Sequence, residues 1–149
     1  MFKSKFLILL IVALTMTGCA KETEITYTPP PIEDEWSVTM VQSGGIMGLL
    51  RSIRVSSDGT YSVVDERAGG RVEGTLSGNE LAHLKDLVAG FSFLTPKIPM
   101  VCADCFVYEV EIQSGGQKLV VETDDVNMPE TGMGPLVEFL RGVMDSALQ

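Results

Sequence analysis

The strongest constraint on the fold is a short run in which apolar and acidic side chains alternate. The apolar positions are Phe106, Tyr108, Val110 and Ile112, and Glu109 and Glu111 fall between them. A period of two places one set of side chains on one face of a β-strand. Gly115 and Gly116 follow and are typical of a tight turn into a second strand over residues 118–122. This part of the chain therefore predicts an antiparallel hairpin.

A second antiparallel unit is predicted in the first half of the chain. Four segments with strand character lie at residues 36–42, 49–55, 60–65 and 71–76. Asp58 and Gly59 mark a tight turn before the third segment, and residues 68–70 mark another before the fourth. Short turns between successive strands predict a meander.

Two amphipathic helices complete the predicted domain. Ser77 and Glu80 form a capping-box pattern, and the apolar stripe after it is Leu81, Leu84, Leu87, Val88 and Phe91. Pro135 suits the first turn of a closing helix whose predicted buried stripe is Leu136, Leu140, Val143 and Ala147. Residues 95–101 and 123–134 are predicted as loops. The fold class is therefore α+β, an antiparallel sheet (meander plus hairpin) packed on one face by two helices.

The N-terminus has the pattern of an export signal. Lys3 and Lys5 precede an apolar run over residues 7–16 that is too short for a permanent transmembrane helix. Small residues then lead to Cys19, and in these features the segment resembles a bacterial lipoprotein signal. That resemblance implies a signal peptide over residues 1–18, acylation of Cys19 and a stable lipid anchor. An ordinary secretory signal that happens to precede a cysteine is the alternative.

Residues 19–35 are predicted to be a lipidated N-terminus and a proline-rich tether. They are polar and charged, and the prolines at 29–31 hold the chain extended. Residues 36–149 are too few for two cores and are predicted to form a single domain. We therefore expect a domain on the exported side of a membrane in the cell envelope, at the outer membrane if the cell has one.

The acidic balance disfavours nucleic acid as a partner. The chain carries 11 basic and 20 acidic side chains. Without Lys3 and Lys5 of the predicted signal, nine basic side chains remain and the net charge is about −11. Nucleic acids and anionic headgroups are bound through Lys and Arg. A basic protein partner and simple solubility remain as interpretations.

Groups for catalysis are scarce. His83 is the one histidine, and the helical pattern places it on the polar side, which favours a solvated residue over a catalytic one. The sequence has no zinc-protease, nucleotide-binding or nucleophile-elbow motif. No enzymatic activity, metal or cofactor is therefore predicted.

Cys102 and Cys105 have a spacing that is shared by redox disulfides and by half of a zinc ribbon. A structural zinc site needs four ligands, and the sequence offers no second pair. A redox pair would begin a helix, whereas these residues lie between a proline-containing loop and a strand. In an exported chain a structural disulfide is therefore favoured, with a thiol oxidoreductase as the alternative.

A glycine-rich loop is the candidate binding site, and its residues are Ser43, Gly44, Gly45, Ile46, Met47 and Gly48. One interpretation is an exposed apolar tip that a partner pocket would bury. The other is a wide turn in which the glycines adopt positive φ and Ile46 and Met47 fold back onto the core. The residues alone favour the second interpretation.

Several short motifs occur in an order that points to a known family. They are the loop from Ser43 to Gly48 with Arg51 and Val55, the capped helix from Glu80 to Phe91, the strand from Ala103 to Ile112, and Pro135, Leu136, Phe139 and Leu140. In this order they resemble the emfourin family, small inhibitors of thermolysin-like metalloproteases such as protealysin. The resemblance covers most of the domain, from about Trp36 to Met144.

The resemblance implies a membrane-anchored lipoprotein that inhibits a secreted thermolysin-like zinc metalloprotease. Ile46 and Met47 would occupy an apolar pocket of the protease cleft, and neighbouring acidic groups would complement the metal or a basic rim. The alternative is a non-inhibitory cell-envelope lipoprotein that serves as a protein-binding or assembly module. The anchor and the long segments at residues 56–76 and 124–134 favour that alternative.

Overall fold

The computed structural model describes residues 25–100 and 102–149, so the predicted signal and Cys19 lie outside the described residues. The strands are β1 (Thr26–Tyr27), β2 (Trp36–Gly44), β3 (Leu49–Ser56), β4 (Thr60–Asp65), β5 (Gly70–Thr75), β6 (Phe93–Leu94), β7 (Phe106–Ser114) and β8 (Gln117–Asp124). The helices are α1 (Gly78–Ala89), α2 (Met128–Thr131) and α3 (Gly134–Ala147). The predicted α+β class is confirmed. No helix in the described ranges is long and apolar enough to cross a membrane.

The main sheet has six antiparallel strands in the order β5-β4-β3-β2-β7-β8. It contains both predicted units, the meander β2 to β5 and the hairpin β7–β8. Pairing of β2 with β7 joins them, so that β2 lies in the interior of the sheet between β3 and β7. At the β7–β8 turn, Gly115 and Gly116 have φ of 56° and 75°, as a two-residue hairpin turn requires.

One face of the main sheet carries the core, and α1 and α3 cover that face. Alternate side chains of the inner strands point towards the helices because the strand period is two. The fully buried apolar residues of the sheet include Val38, Met40, Ile53, Val55, Val63, Val110 and Ile112. They pack in one cluster with Leu84 and Val88 of α1 and with the buried residues of α3. The opposite face of the sheet has no helix against it among the described elements.

Helix α1 begins as its capping pattern predicts. The Ser77 side chain accepts from the backbone N–H of Glu80 (3.3 Å), and the Ser77 N–H donates to the Glu80 carboxylate (2.7 Å). The hydrogen bond with Ser77 lowers the pKa of Glu80. Two backbone donors that a helix start leaves unpaired are thereby satisfied.

Helix α3 is rotated slightly from its predicted orientation. Its buried residues are Leu136, Val137, Leu140 and Met144. The predicted stripe was correct at Leu136 and Leu140, whereas Val143 and Ala147 are only half-buried. Both sets fit a helical period, and contact with α1 and the sheet decides which neighbours face the core.

The described part of the predicted tether lies against the domain. Strand β1 pairs with β6 in a separate two-stranded sheet, where the rings of Tyr27 and Phe93 are 6.4 Å apart. Ile32 packs on the core, and the Glu33 N–H donates to the Ser114 hydroxyl (2.9 Å). Apolar side chains at the otherwise polar positions 25–35 explain this difference from a fully extended tether. The short helix α2 also occupies a segment that was predicted as a loop.

Candidate functional site at the turn between β2 and β3

The candidate loop forms a compact turn with its apolar side chains in solvent. Ser43 and Gly44 end β2, and the four residues Gly45, Ile46, Met47 and Gly48, here called the tip, lead into β3. The Gly48 N–H donates to the Gly45 carbonyl (2.8 Å) and closes the turn. Ile46 is 87% exposed and Met47 is 78% exposed. The interpretation that both fold back onto the core is therefore wrong.

Glycine is required directly before the tip and at both of its ends, for two physical reasons. Gly44, Gly45 and Gly48 have φ of 93°, 69° and 58°, a region that residues with a side chain rarely occupy. The space that a side chain would need at Gly44 and at Gly45 is also filled by neighbouring atoms. A Cβ on Gly44 would lie 2.5 Å from the Cys105 carbonyl oxygen, and one on Gly45 would lie 2.6 Å from the Phe106 ring. These neighbours occupy the space beneath the turn and leave Ile46 and Met47 outside.

The cysteine pair lies directly beside the tip. Cys102 and Cys105 form the predicted disulfide, with a Cα–Cα distance of 5.4 Å. The Cys105 carbonyl accepts a hydrogen bond from the Gly45 N–H (3.0 Å). The sequence indicated the loop and the cysteines separately. Pairing of Gly44 with Phe106 in the β2–β7 ladder brings them together.

The segment after β8 supports the same corner. The Asp125 carboxylate accepts from the Phe106 N–H (2.9 Å), and the Asp125 N–H donates to the Phe106 carbonyl (3.1 Å). Asp104, within the disulfide loop, and Asp125 are both exposed. The tip therefore has two carboxylates on the segments that hold it, together with the exposed apolar side chain of Val126.

A buried polar group lies next to this corner, on the core face of the sheet. The Tyr108 hydroxyl accepts from Gln42 Nε2 and from Arg141 Nη1, each at 3.4 Å. Burial raises the pKa of Tyr108, the hydrogen bond from Arg141 offsets part of this rise, and the nearby charge of Asp125 adds to it. The phenol is therefore neutral at ordinary pH, which suits a structural hydrogen-bonding group rather than a general base. Sequence reasoning missed this network because Tyr108 was read as a core residue of an alternating strand.

The turn between β4 and β5 also reaches the tip. A Cβ on Gly48 would lie 3.5 Å from an Arg67 guanidinium nitrogen. In this turn the Asp65 carboxylate accepts from the Ala68 N–H (2.9 Å) and from Arg51 Nε (2.7 Å). The Ala68 hydrogen bond and then Arg51 lower the pKa of Asp65. The ionised carboxylate thereby holds this turn in place beside the tip.

No protein-family model and no curated protein matches this chain. Within residues 25–100 and 102–149, no three His, Cys, Asp or Glu side chains are placed to hold a metal ion.

His83 does not contribute to the tip. Its ring packs edge-on against Phe139 at 5.5 Å, in a groove of about 710 Å³ between α1 and α3. Glu80 and Glu138 also line this groove. The His83 side chain is exposed, as its position on the polar side of the helix predicted.

The tip has the features of a preorganised docking element. Its apolar side chains project from a short closed turn, and that turn is held by the Phe106 ring and the disulfide loop. A rigid element loses little conformational freedom when a partner binds it. This arrangement supports recognition of another molecule by insertion.

Proposed function

We propose that the chain is a membrane-anchored lipoprotein that inhibits a thermolysin-like zinc metalloprotease by inserting the tip into the protease cleft. The observation that carries the proposal is the 87% and 78% exposure of Ile46 and Met47 on a braced turn. Exposed apolar groups of this size gain free energy when an apolar pocket buries them. The predicted signal peptide over residues 1–18, directly before Cys19, supports the anchor, and the resemblance to emfourins supports the class of target.

The chemistry around the tip suits a protease cleft. Apolar side chains at the turn match an apolar specificity pocket, and the carboxylates of Asp104 and Asp125 match a basic rim or the metal. Proteases accept substrate segments in an extended conformation. The left-handed φ of Gly45 and Gly48 and the hydrogen bond between these residues hold the turn closed. This geometry favours binding without cleavage.

The double variant Ile46→Ser/Met47→Ser tests the proposal. We expect the inhibition constant against a thermolysin-like protease to rise at least about tenfold, because each side chain contributes about 1.5–3 kcal/mol when fully buried and tenfold equals about 1.4 kcal/mol. The melting temperature should stay nearly unchanged because both side chains are already in solvent. Titration of protease activity and thermal unfolding measure the two quantities.

Val120→Ser is the matched control for this experiment. Like the double variant, it removes a partly exposed apolar side chain. Val120 lies five residue pairs along the sheet from the pair Gly44–Phe106, which corresponds to a distance of about 16 Å from that pair. The control should inhibit like the parent. Undiminished inhibition by the double variant would show that the tip does not enter the cleft.

A second candidate function is an envelope protein-binding or assembly module. This function is favoured by the exposure of Leu50 and Val126, which extends the apolar surface beyond Ile46 and Met47. This function predicts that the intact chain leaves thermolysin-like proteases active. A metalloprotease gene beside the gene for this chain would favour the inhibitor, and envelope-assembly genes would favour the module.

A further inference from the structure

Strand β8 is one edge of the main sheet, and no described strand pairs with its outer side. The Asp125 N–H donates to the Phe106 carbonyl at the end of the β7–β8 ladder. In an antiparallel ladder, hydrogen-bonded residue pairs alternate with pairs that are not hydrogen-bonded. Since Asp125 belongs to a hydrogen-bonded pair, the odd-numbered residues of β8 form the hydrogen bonds to β7. The backbone N–H and C=O groups of Lys118, Val120 and Glu122 therefore point outward from the sheet.

This edge lacks three of the usual protections against pairing. Natural edge strands are commonly shortened, bulged or interrupted by proline. Strand β8 has eight residues without a proline, and its register with β7 is continuous. Val120, in the middle of the strand, is 44% exposed. The backbone and this side chain together offer a regular surface for another strand.

The sequence of β8 is complementary to itself in an antiparallel arrangement. One register pairs three of the outward-facing residues, Lys118, Val120 and Glu122, and it places Val120 opposite Val120 of a second copy. The same register places Lys118 opposite Glu122 of the second copy, once on each side of the central pair. Opposite charges and β-branched pairs at such positions stabilise a sheet.

The charges of the single chain favour this register further. Glu122 lies directly opposite Glu109 in the β7–β8 ladder, and like charges at that position are destabilising. Lys118 of a second copy would lie on the other side of Glu122 and compensate its charge. In its own chain, the Lys118 ammonium group lies 3.2 Å from the Glu111 carboxylate on the neighbouring strand. This places the ammonium group at the sheet surface, where it can also contact Glu122 of a second copy.

The opposite edge of the sheet is less suited to pairing with itself, because β5 is shorter than β8 and has glycine at two of its six positions. The Leu76 N–H donates to the Gly59 carbonyl, so the outward-facing residues of β5 are Arg71, Glu73 and Thr75. Pairing of β5 with itself about its central residue would place Glu73 opposite Glu73. The repulsion between these carboxylates disfavours that register. A register about Val72 would place Arg71 opposite Glu73 of the second copy, but Arg71 and Glu73 already form an ion pair within their own strand at 3.0 Å.

We propose that two copies of the chain associate through β8, about a two-fold axis at Val120, so that their main sheets become one continuous sheet. The inference goes beyond the proposed function because the tip residues do not belong to β8. It names the second copy as the partner of this edge, on the grounds of its charge complementarity.

Cysteine cross-linking of the full chain in detergent tests the register. Residues that face each other in a hydrogen-bonded pair have Cα atoms about 5.5 Å apart, within the range of a disulfide. V120C should therefore form a covalent dimer under mild oxidation, in excess over the parent chain. Its matched control is T75C on the other edge, which keeps Arg71 and Glu73 in place and should not cross-link. Equal cross-linking of V120C and T75C, or none by V120C, would overturn the proposal.

Charge exchange tests the complementarity. K118E and E122K should each weaken dimerisation about tenfold, because each reverses two symmetric ion pairs, and the double variant K118E/E122K should regain the affinity to within about threefold. Sedimentation of the full chain in detergent measures the dissociation constants. Failure of the double variant to regain affinity, or a parent chain that is monomeric at about 100 µM, would overturn the proposal.

The variant V120P separates association from folding. Its N–H faces outward and makes no hydrogen bond within the ladder, so proline at this edge position should leave the melting temperature within a few degrees of the parent. It should abolish the dimer because it removes a donor from the centre of the contact. A folded V120P variant that still dimerises would show that β8 is not the interface.

Discussion

The substitution Gly44→Ala tests the contact that holds the tip. Its φ of 93° lies where an added side chain costs about 1–2 kcal/mol. The new Cβ would also lie 2.5 Å from the Cys105 carbonyl oxygen. That oxygen belongs to the backbone and cannot rotate away, so either β2 or the disulfide loop must move. The hydrogen bond from the Gly45 N–H to the same oxygen would be strained or lost.

We expect Gly44→Ala to lower the free energy of unfolding by about 2–5 kcal/mol, from the φ cost and about 1–3 kcal/mol of steric displacement. Gly69→Ala is the matched control. Gly69 has a similar φ of 66°, but no heavy atom lies within 4 Å of its added Cβ. Only the φ cost applies there. The difference between the two variants, about 1–3 kcal/mol, therefore measures the contact between the tip and the disulfide loop.

Urea unfolding followed by tryptophan fluorescence provides the assay. Trp36 is the one tryptophan of the chain and is only 6% exposed, so its emission should change when the core opens. If the free energy of unfolding falls with urea concentration at the same slope in both variants, only the stability has changed. If Gly44→Ala costs no more than Gly69→Ala, the turn relaxes freely and the disulfide loop does not brace it.

Two further predictions concern the disulfide and acid stability. Replacement of Cys102 and Cys105 by alanine should lower the free energy of unfolding by about 2 kcal/mol, because the bridge closes a loop of about four residues; urea unfolding measures this, and an unchanged midpoint contradicts it. The Ala68 hydrogen bond and Arg51 lower the folded-state pKa of Asp65. The contribution of Asp65 to the free energy of unfolding is therefore present above the unfolded pKa of about 3.9 and is lost as pH falls through the folded pKa. Asp65→Asn should therefore flatten the decline of stability below about pH 4, and an equally steep decline in that variant would contradict the assignment.

Local patterns predicted the elements well where each pattern permits one structure. The segment from Thr60 to Asp65 is a strand with the predicted bounds, because turn residues flank it on both sides. Ser77 and Glu80 mark the start of α1 because their reciprocal hydrogen bonds depend only on neighbouring residues. The orientation of α3 was only partly predicted, since a helical period allows adjacent stripes and only packing selects one.

The exposure of the tip could not be predicted from its own residues. The segment from Gly44 to Gly48 is compatible with an outward or an inward turn. The decisive groups are the Cys105 carbonyl and the Phe106 ring, which fill the space beneath it. They belong to a distant part of the chain and arrive only when β2 pairs with β7. The pairing of these two strands, which no local pattern indicates, therefore determines the candidate site.

The position of the tip on an interior strand has a mechanical consequence. Strand β2 leads directly into the tip and is hydrogen-bonded along its length to β3 and to β7. A partner that pulled on the tip along the strand axis would load both ladders in shear, so that many hydrogen bonds share the force at once. A similar turn on an edge hairpin could be peeled away one residue pair at a time. A domain gripped at the tip would thus resist extension where the load is applied.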